Sequence, residues 1–191
     1  MHKGRLEAFS DGVMAIIITI MVLELKVPHA TDVDSLISLA PVFLSYVLSF
    51  IYVGIYWSNH HHMFQIVKNV NGSVLWANTH LLFWLSLIPF VTSWAGENHY
   101  ATIPVALYGF VLLMCSIAYF ILTRALLAIH EKDSSLSVAI GQDSKGKMST
   151  AIYIIGIPAT FLSVYLGLAL YVVVAFIWLI PDRRVEEVIT T

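Results

Sequence analysis

The chain has 191 residues and a formal net charge of −2; 59 % of its residues are hydrophobic and only 12 % are charged. A soluble domain carries about a quarter charged residues, so this chain lacks the polar surface to dress a soluble globule and is expected to be an all-α, polytopic membrane protein. The near-neutral charge gives no case for nucleic acid as a partner, and the lone Cys115 excludes an intrachain disulfide.

In chain order, apolar runs cover Ala8–Leu25, Leu39–Trp57, Val74–Trp94 and Ile103–Ile129, and a longer block covers Ala151–Ile180. A cleaved leader is the rival reading of the first run. It fits poorly, because Asp11 and Glu24 bracket the apolar core and Pro28-His29-Ala30 is a poor cleavage site. The last block is long enough for one oversized helix or two short ones, and the basic residues decide between them. Cytoplasmic loops carry excess Lys and Arg. Lys3 and Arg5 place the N-terminus inside. Lys68 then falls inside after two spans, and Arg124, Lys132, Lys145 and Lys147 after four. Arg183 and Arg184 also fall inside if the block is split near Ser163–Gly167, with Gly156 and Pro158 loosening its first half. The expectation is one six-helix unit, residues 1–191, with spans at about 8–25, 39–57, 74–94, 103–129, 150–163 and 166–180 and both termini cytoplasmic. Only Lys26 is left outside. No internal repeat appears, and His130–Ser149 reads as a loop. One such bundle has little room for an aqueous path, so any conduction is expected on an axis shared by several copies.

On a helical wheel, Arg5, Phe9, Gly12, Ile16, Ile20 and Leu23 share one narrow stripe, with Thr19 beside it; Ser10 and Asp11 point away. Such a stripe is ordinarily lipid-facing or packing surface, or else the lining of an apolar constriction. Asp11 is either a headgroup-level acid favoured by the helix dipole or a member of a buried polar network. Partners at its level are Arg5, Trp57-Ser58-Asn59-His60-His61-His62 and the pair Asn78 and His80. Acid and base are expected to pin the first helix to the second and third.

His60-His61-His62 invites a metal or redox reading together with His80, but adjacent helical residues diverge by 100° and no H-E-x-x-H spacing accompanies them. Val53-Gly54-Ile55-Tyr56 echoes a potassium filter loop, yet it lies inside a continuous helical run and is rejected as one. No catalytic signature appears, and no enzyme activity or cofactor is expected.

The run Arg5-x-x-x-Phe9-Ser10-Asp11, followed by a long apolar helix ending at Val27-Pro28, resembles the signature of the transmembrane protein 175 family. These are potassium channels of endosomes and lysosomes with shorter bacterial relatives, and the likeness extends to the length and span count of the whole chain. It implies a bacterial inner-membrane, potassium-preferring channel whose permeant ion is potassium. Four copies would assemble with the first helix of each around a central pore. It further implies apolar rings at Ile16, Ile20 and Leu23, a hydroxyl ring at Thr19, and a network of Arg5, Phe9, Ser10 and Asp11 with Trp57 and His60 or His61 holding the pore helix, to which the level of Asn78 adds that residue. A proton or unselective cation pathway, and a membrane-embedded histidine metal or redox protein, are the alternatives.

Overall fold

The computed structural model describes residues 3–67, 69–130 and 143–179. Lys68, Lys132, Arg183 and Arg184, used above for orientation, lie outside them, as do most of the loop after His130 and the last residue of the sixth expected span. The described residues form helices α1 (Gly4–Leu23), α2 (Val33–Ile37), α3 (Ala40–Ile66), α4 (Gly72–Ser86), α5 (Ile88–Glu97), α6 (Thr102–Leu127), α7 (Ser144–Leu162) and α8 (Val164–Leu179), with no strand among them.

Among the described residues, four helical stretches are long and apolar enough to cross a membrane: Gly4–Leu23, Ala40–Ile66, Gly72–Glu97 and Thr102–Leu127. The third joins α4 to α5 through Leu87. The joint is a proline kink. Pro89 sits in the first turn of α5 and has no N–H to continue the ladder from α4. α3 runs nine residues past Trp57, carrying the three histidines on its last two turns. α7 and α8 meet at Ser163, whose extended backbone breaks the helical path; Pro158 lies inside α7 without ending it. α2 has no counterpart in the sequence reading. Asp32 caps it by accepting from the Ser35 N–H at 2.8 Å.

α6 is the central element, packed against α4, α5, α7 and α8. Val105, Cys115, Ala118, Leu122 and Leu126 on it are fully buried. α7 and α8 form a hairpin on one side of α6, while α1 packs on the other side of the bundle against α3, α4 and α5. The hairpin is keyed in by Tyr171, whose fully buried ring occupies a notch made by two glycines. A Cβ on Gly109 of α6 would stand 2.0 Å from the Tyr171 hydroxyl, and one on Gly156 of α7 would stand 2.9 Å from its ring. A buried ring has no room to swing aside. Gly109→Ala is therefore expected to destabilise the protein by about 1–3 kcal/mol, read as a lower unfolding midpoint in detergent. Tyr171→Phe is expected to be near neutral, because its hydroxyl has no hydrogen-bond partner among the described residues.

Candidate functional site

α1 buries Leu6, Ser10, Met14, Ile17 and Met21, each at most 5 % exposed, against α3, α4 and α5. Their spacing of four, four, three and four residues traces one helical face. The opposite face is bare. Phe9 is 59 % exposed, Ile16 60 %, Ile20 42 % and Leu23 75 %, and Arg5, Gly12 and Thr19 are exposed beside them. The stripe found on the wheel is thus the side of α1 that its own subunit leaves uncovered. The Thr19 hydroxyl donates to the Ala15 carbonyl at 2.9 Å, which turns its oxygen lone pairs outward as acceptors.

A clasp of polar side chains holds the first turns of α1. The Ser10 hydroxyl donates to the Leu6 carbonyl at 2.8 Å and accepts from Asn78 Nδ2 at 2.9 Å. Asn78 Oδ1 lies 2.8 Å from His60 Nε2, so this ring nitrogen is the donor. The His60 ring stacks on Phe64 at 4.4 Å between centroids. Ser10, His60 and Asn78 are each at most 2 % exposed, and the relay ties α1 to α3 and α4. A second, exposed bracket runs beside it. Trp57 Nε1 donates to Asp11 Oδ1 at 3.0 Å, Trp57 stacks on His61 at 5.7 Å, and His61 Nε2 lies 2.8 Å from Gln65 Nε2. His60 and His61 therefore take different places, one in the buried relay and one behind the tryptophan.

Of the two places open to Asp11, its own subunit gives it the exposed one, bonded to Trp57, and no hydrogen bond or ion pair joins it to Arg5. Ser10 and Asp11 are neighbours 100° apart on the helix, so only one of them can enter the groove between α3 and α4, and it is the serine. Nor does Arg5 supply the basic pin. Lys3 does: its ammonium donates to the carbonyls of Phe64 and, at 3.2 Å, of Gln65. These lie in the last turn of α3, where carbonyls lack helical partners and the dipole favours a cation. The sequence reading used Lys3 only for orientation. The available signal was a lysine at the level where the second long helix ends without a basic residue in its last turn.

The histidines do not converge. His60 faces Asn78, His61 faces Trp57 and Gln65, and His80 accepts from Trp84 Nε1 at 2.9 Å one turn on. Among the described residues no three His, Cys, Asp or Glu side chains are placed to hold a metal ion. Val53-Gly54-Ile55-Tyr56 lies within unbroken α3. At the other end of α1, Ser93 donates to Glu24 Oε2 at 3.2 Å, and Lys26 pairs with Glu97 at 2.5 Å. The hydrogen bond to Glu97, then its charge, raises the Lys26 ammonium above its ordinary 10.5. This pairing is present at neutral pH and is lost only as pH rises through that raised value.

These features define a multi-pass helical membrane protein whose first helix is clasped at one end and bare along an apolar stripe. The model of the family described as endosomal/lysosomal potassium channel TMEM175 matches residues 5–89, which include α1 from its second residue on and every residue of the clasp except Lys3. The chain is 56 % identical over 187 residues to a potassium channel of Chryseobacterium sp. (strain P1-3), covering 98 % of this chain and 97 % of that one. It is 31 % identical to a potassium channel of Chamaesiphon minutus over 91 % of this chain and 92 % of the relative. A crystal structure of a lysosomal potassium-selective channel TMEM175 homolog from Chamaesiphon minutus superposes with a TM-score of 0.80 at 31 % identity, covering 94 % and 97 % of the two chains. The human endosomal/lysosomal proton channel TMEM175 is 35 % identical over 101 residues, 47 % of this chain and 20 % of that protein. The chain belongs to the TMEM175 family, a family of ion channels and not of enzymes.

Proposed function

We propose that the chain is one subunit of a homotetrameric, potassium-preferring cation channel in the inner membrane of a bacterium. The observation that carries this reading is the bare stripe of α1. An isolated subunit exposes Ile16, Ile20 and Leu23 along a helix whose other face is packed and whose end is clasped. Four such helices around a shared axis turn these positions into stacked apolar rings, spread over roughly 10 Å of helix rise. An ion passing them gives up much of its hydration, so the rings act as constriction and gate. The Thr19 ring between them offers oxygens to a partly stripped cation. Conduction is passive, with potassium as the permeant ion and no resident cofactor. Arg5 and Phe9, exposed at the inner end of the same face, stand where neighbouring first helices meet.

α1, α3, the kinked α4–α5 pair, α6, α7 and α8 supply six passes. An even number keeps both ends cytoplasmic and leaves Lys26 on the outer side, paired with Glu97. A second reading, a proton pathway along the same axis, is favoured by the animal relatives, which are named proton channels.

The test is flux from proteoliposomes of the purified oligomer, loaded with potassium, diluted into sodium and followed by proton uptake through an added ionophore. Flux that persists with rubidium and falls with sodium inside is the expected result. Proton uptake that needs no ionophore would favour the proton reading. Silence from a folded tetramer over a range of conditions would overturn both.

A further inference from the structure

Lys26 is the basic residue that the proposed orientation leaves on the outer side, where Lys and Arg are scarce. It follows Leu23, the outermost member of the bare stripe, by one short step of chain, and it is held to α5. Glu24 Oε2 accepts from the Ser93 hydroxyl at 3.2 Å, and the Lys26 ammonium lies 2.5 Å from Glu97 Oε1. Ser93 and Glu97 stand at i and i+4, so they share one face of α5. Glu24 follows Ile17 by two helical turns and so continues the packed face of α1 rather than the bare one. The two contacts are rungs between the end of α1 and one side of α5.

Of the two helices, α5 is the fixed one. Its Thr92 hydroxyl donates to the Ile88 carbonyl and lies 2.6 Å from the Ser49 hydroxyl of α3, which lies 2.9 Å from the Tyr108 hydroxyl of α6. Gly96, beside Glu97, sits so close to α3 that a Cβ on it would stand 2.8 Å from the Val42 Cα. The outer end of α1 is held less firmly. Its last turn carries no basic residue to offset the helix dipole, Met21 is the buried side chain there, and Leu23 is 75 % exposed. The buried relay of Ser10, Asn78 and His60 secures only the other end.

α5 packs against α1, whose bare stripe lies on the side that its own subunit leaves uncovered. With the four stripes turned to a shared axis, the rungs draw the outer end of each α1 back from that axis. Without them, four exposed leucines would gain by closing on one another, because apolar groups that meet leave water. We propose that Lys26 and Glu97, supported by Glu24 and Ser93, form an outer latch that holds the four Leu23 positions apart, which makes them positioning residues for permeation. The inference rests on the channel reading for the place of the axis and for its effect on flux.

The first experiment is the proteoliposome flux assay on Lys26→Gln and Glu97→Gln. An exposed ion pair shifts an equilibrium by up to about fivefold, and four act on one axis, so each variant is expected to lower potassium flux at least about threefold with ion preference intact. Lys26→Glu alone should do the same, and the swap Lys26→Glu with Glu97→Lys should restore the flux. Both side chains are solvent-exposed, so the variants empty no core. The shared sign is the signature of a latch. Two unpaired charges near a mouth would act in opposite directions, Lys26→Gln raising cation flux and Glu97→Gln lowering it. That pattern, or unchanged flux in both variants, overturns the proposal. The second readout needs no flux. In the purified oligomer carrying Leu23→Cys, the rate of oxidative cross-linking between subunits reports how often the outer ends meet; Cys115 is buried and does not compete. Adding Glu97→Gln is expected to speed this cross-linking about threefold, and adding the swap should leave it at the parent rate. A rate unmoved by Glu97→Gln, or no cross-linking in any background, overturns the latch. A silent channel whose cross-linking still responds to Glu97→Gln would sink the channel reading and leave the latch standing.

Discussion

Ile16→Asn is expected to raise potassium flux and to weaken the preference for potassium over sodium. Ile16 is 60 % exposed on its own subunit, so the substitution empties no core and breaks no bond; the subunit should fold as before. In a tetramer it replaces four branched alkyl groups around the axis by four amides. Amides hydrogen-bond water, so a constriction that drives water out becomes one that holds it. The ion then keeps more of its hydration, and the barrier falls. Each 1.4 kcal/mol removed from that barrier speeds passage about tenfold. Four amides acting together should give at least that much in the proteoliposome flux assay. Selectivity should fall with the barrier, because a hydrated path no longer weighs the different costs of stripping potassium and sodium. Ile20→Asn should act in the same direction. Unchanged flux and ion preference in both variants would place the stripe off the permeation path.

The reason Ile16 was legible from sequence is also the reason other residues were not. Helical periodicity fixes relative direction along one helix, so the grouping of Ile16, Ile20 and Leu23 with Phe9 follows from their spacing alone. It does not say whether a face is covered by its own subunit, and the packed positions Met14, Ile17 and Met21 are as apolar as the bare ones. The polar clasp was legible as a level in the membrane rather than as a set of bonds. Asp11, Trp57, His60, His61 and Asn78 stand at one height, but which of two neighbouring residues enters a groove depends on the rotation of the helix. Ser10 and Asp11 are both expected in the network, and burial gives the inner place to the uncharged Ser10, whose hydroxyl is far cheaper to desolvate than a carboxylate. Lys3 escaped for a different reason. Its partners are main-chain carbonyls, which exist at every position and leave no mark in a sequence. The proline kink at Pro89 and the break at Ser163 are intermediate cases. The break at Ser163 falls within the Ser163–Gly167 stretch where the split of the last block is expected, whereas the kink at Pro89 has no counterpart in that expectation.

Asn78→Ala is expected to be the most damaging single change in the clasp. Asn78 is the only member of the buried relay that reaches both neighbours, donating to Ser10 and accepting from His60. Its loss affects the two unequally. The Ser10 hydroxyl still donates to the Leu6 carbonyl, so it gives up one of two interactions. The His60 Nε2 proton is left buried with nothing to receive it, at a cost of about 1–3 kcal/mol. Double-mutant cycles within membrane proteins average nearer 0.6 kcal/mol per hydrogen bond, so the lower part of that range is expected for the bond itself, with the vacated volume added to it. Since α1 is packed on α3 and α4 at this level, the loss should loosen the first helix. It should be read as a lower unfolding midpoint and, if the proposed tetramer forms, as its dissociation on size exclusion. Ser10→Ala should do less, because His60 keeps its acceptor. Trp57→Phe should hardly move stability, since the bond it removes is exposed; an effect there belongs in the flux assay, as altered opening with ion preference intact. Asp11→Ala should follow Trp57→Phe for the same reason. If Asn78→Ala and Trp57→Phe prove equal in stability, the buried relay is not what holds α1, and the cation at Lys3 on the end of α3 becomes the next contact to remove.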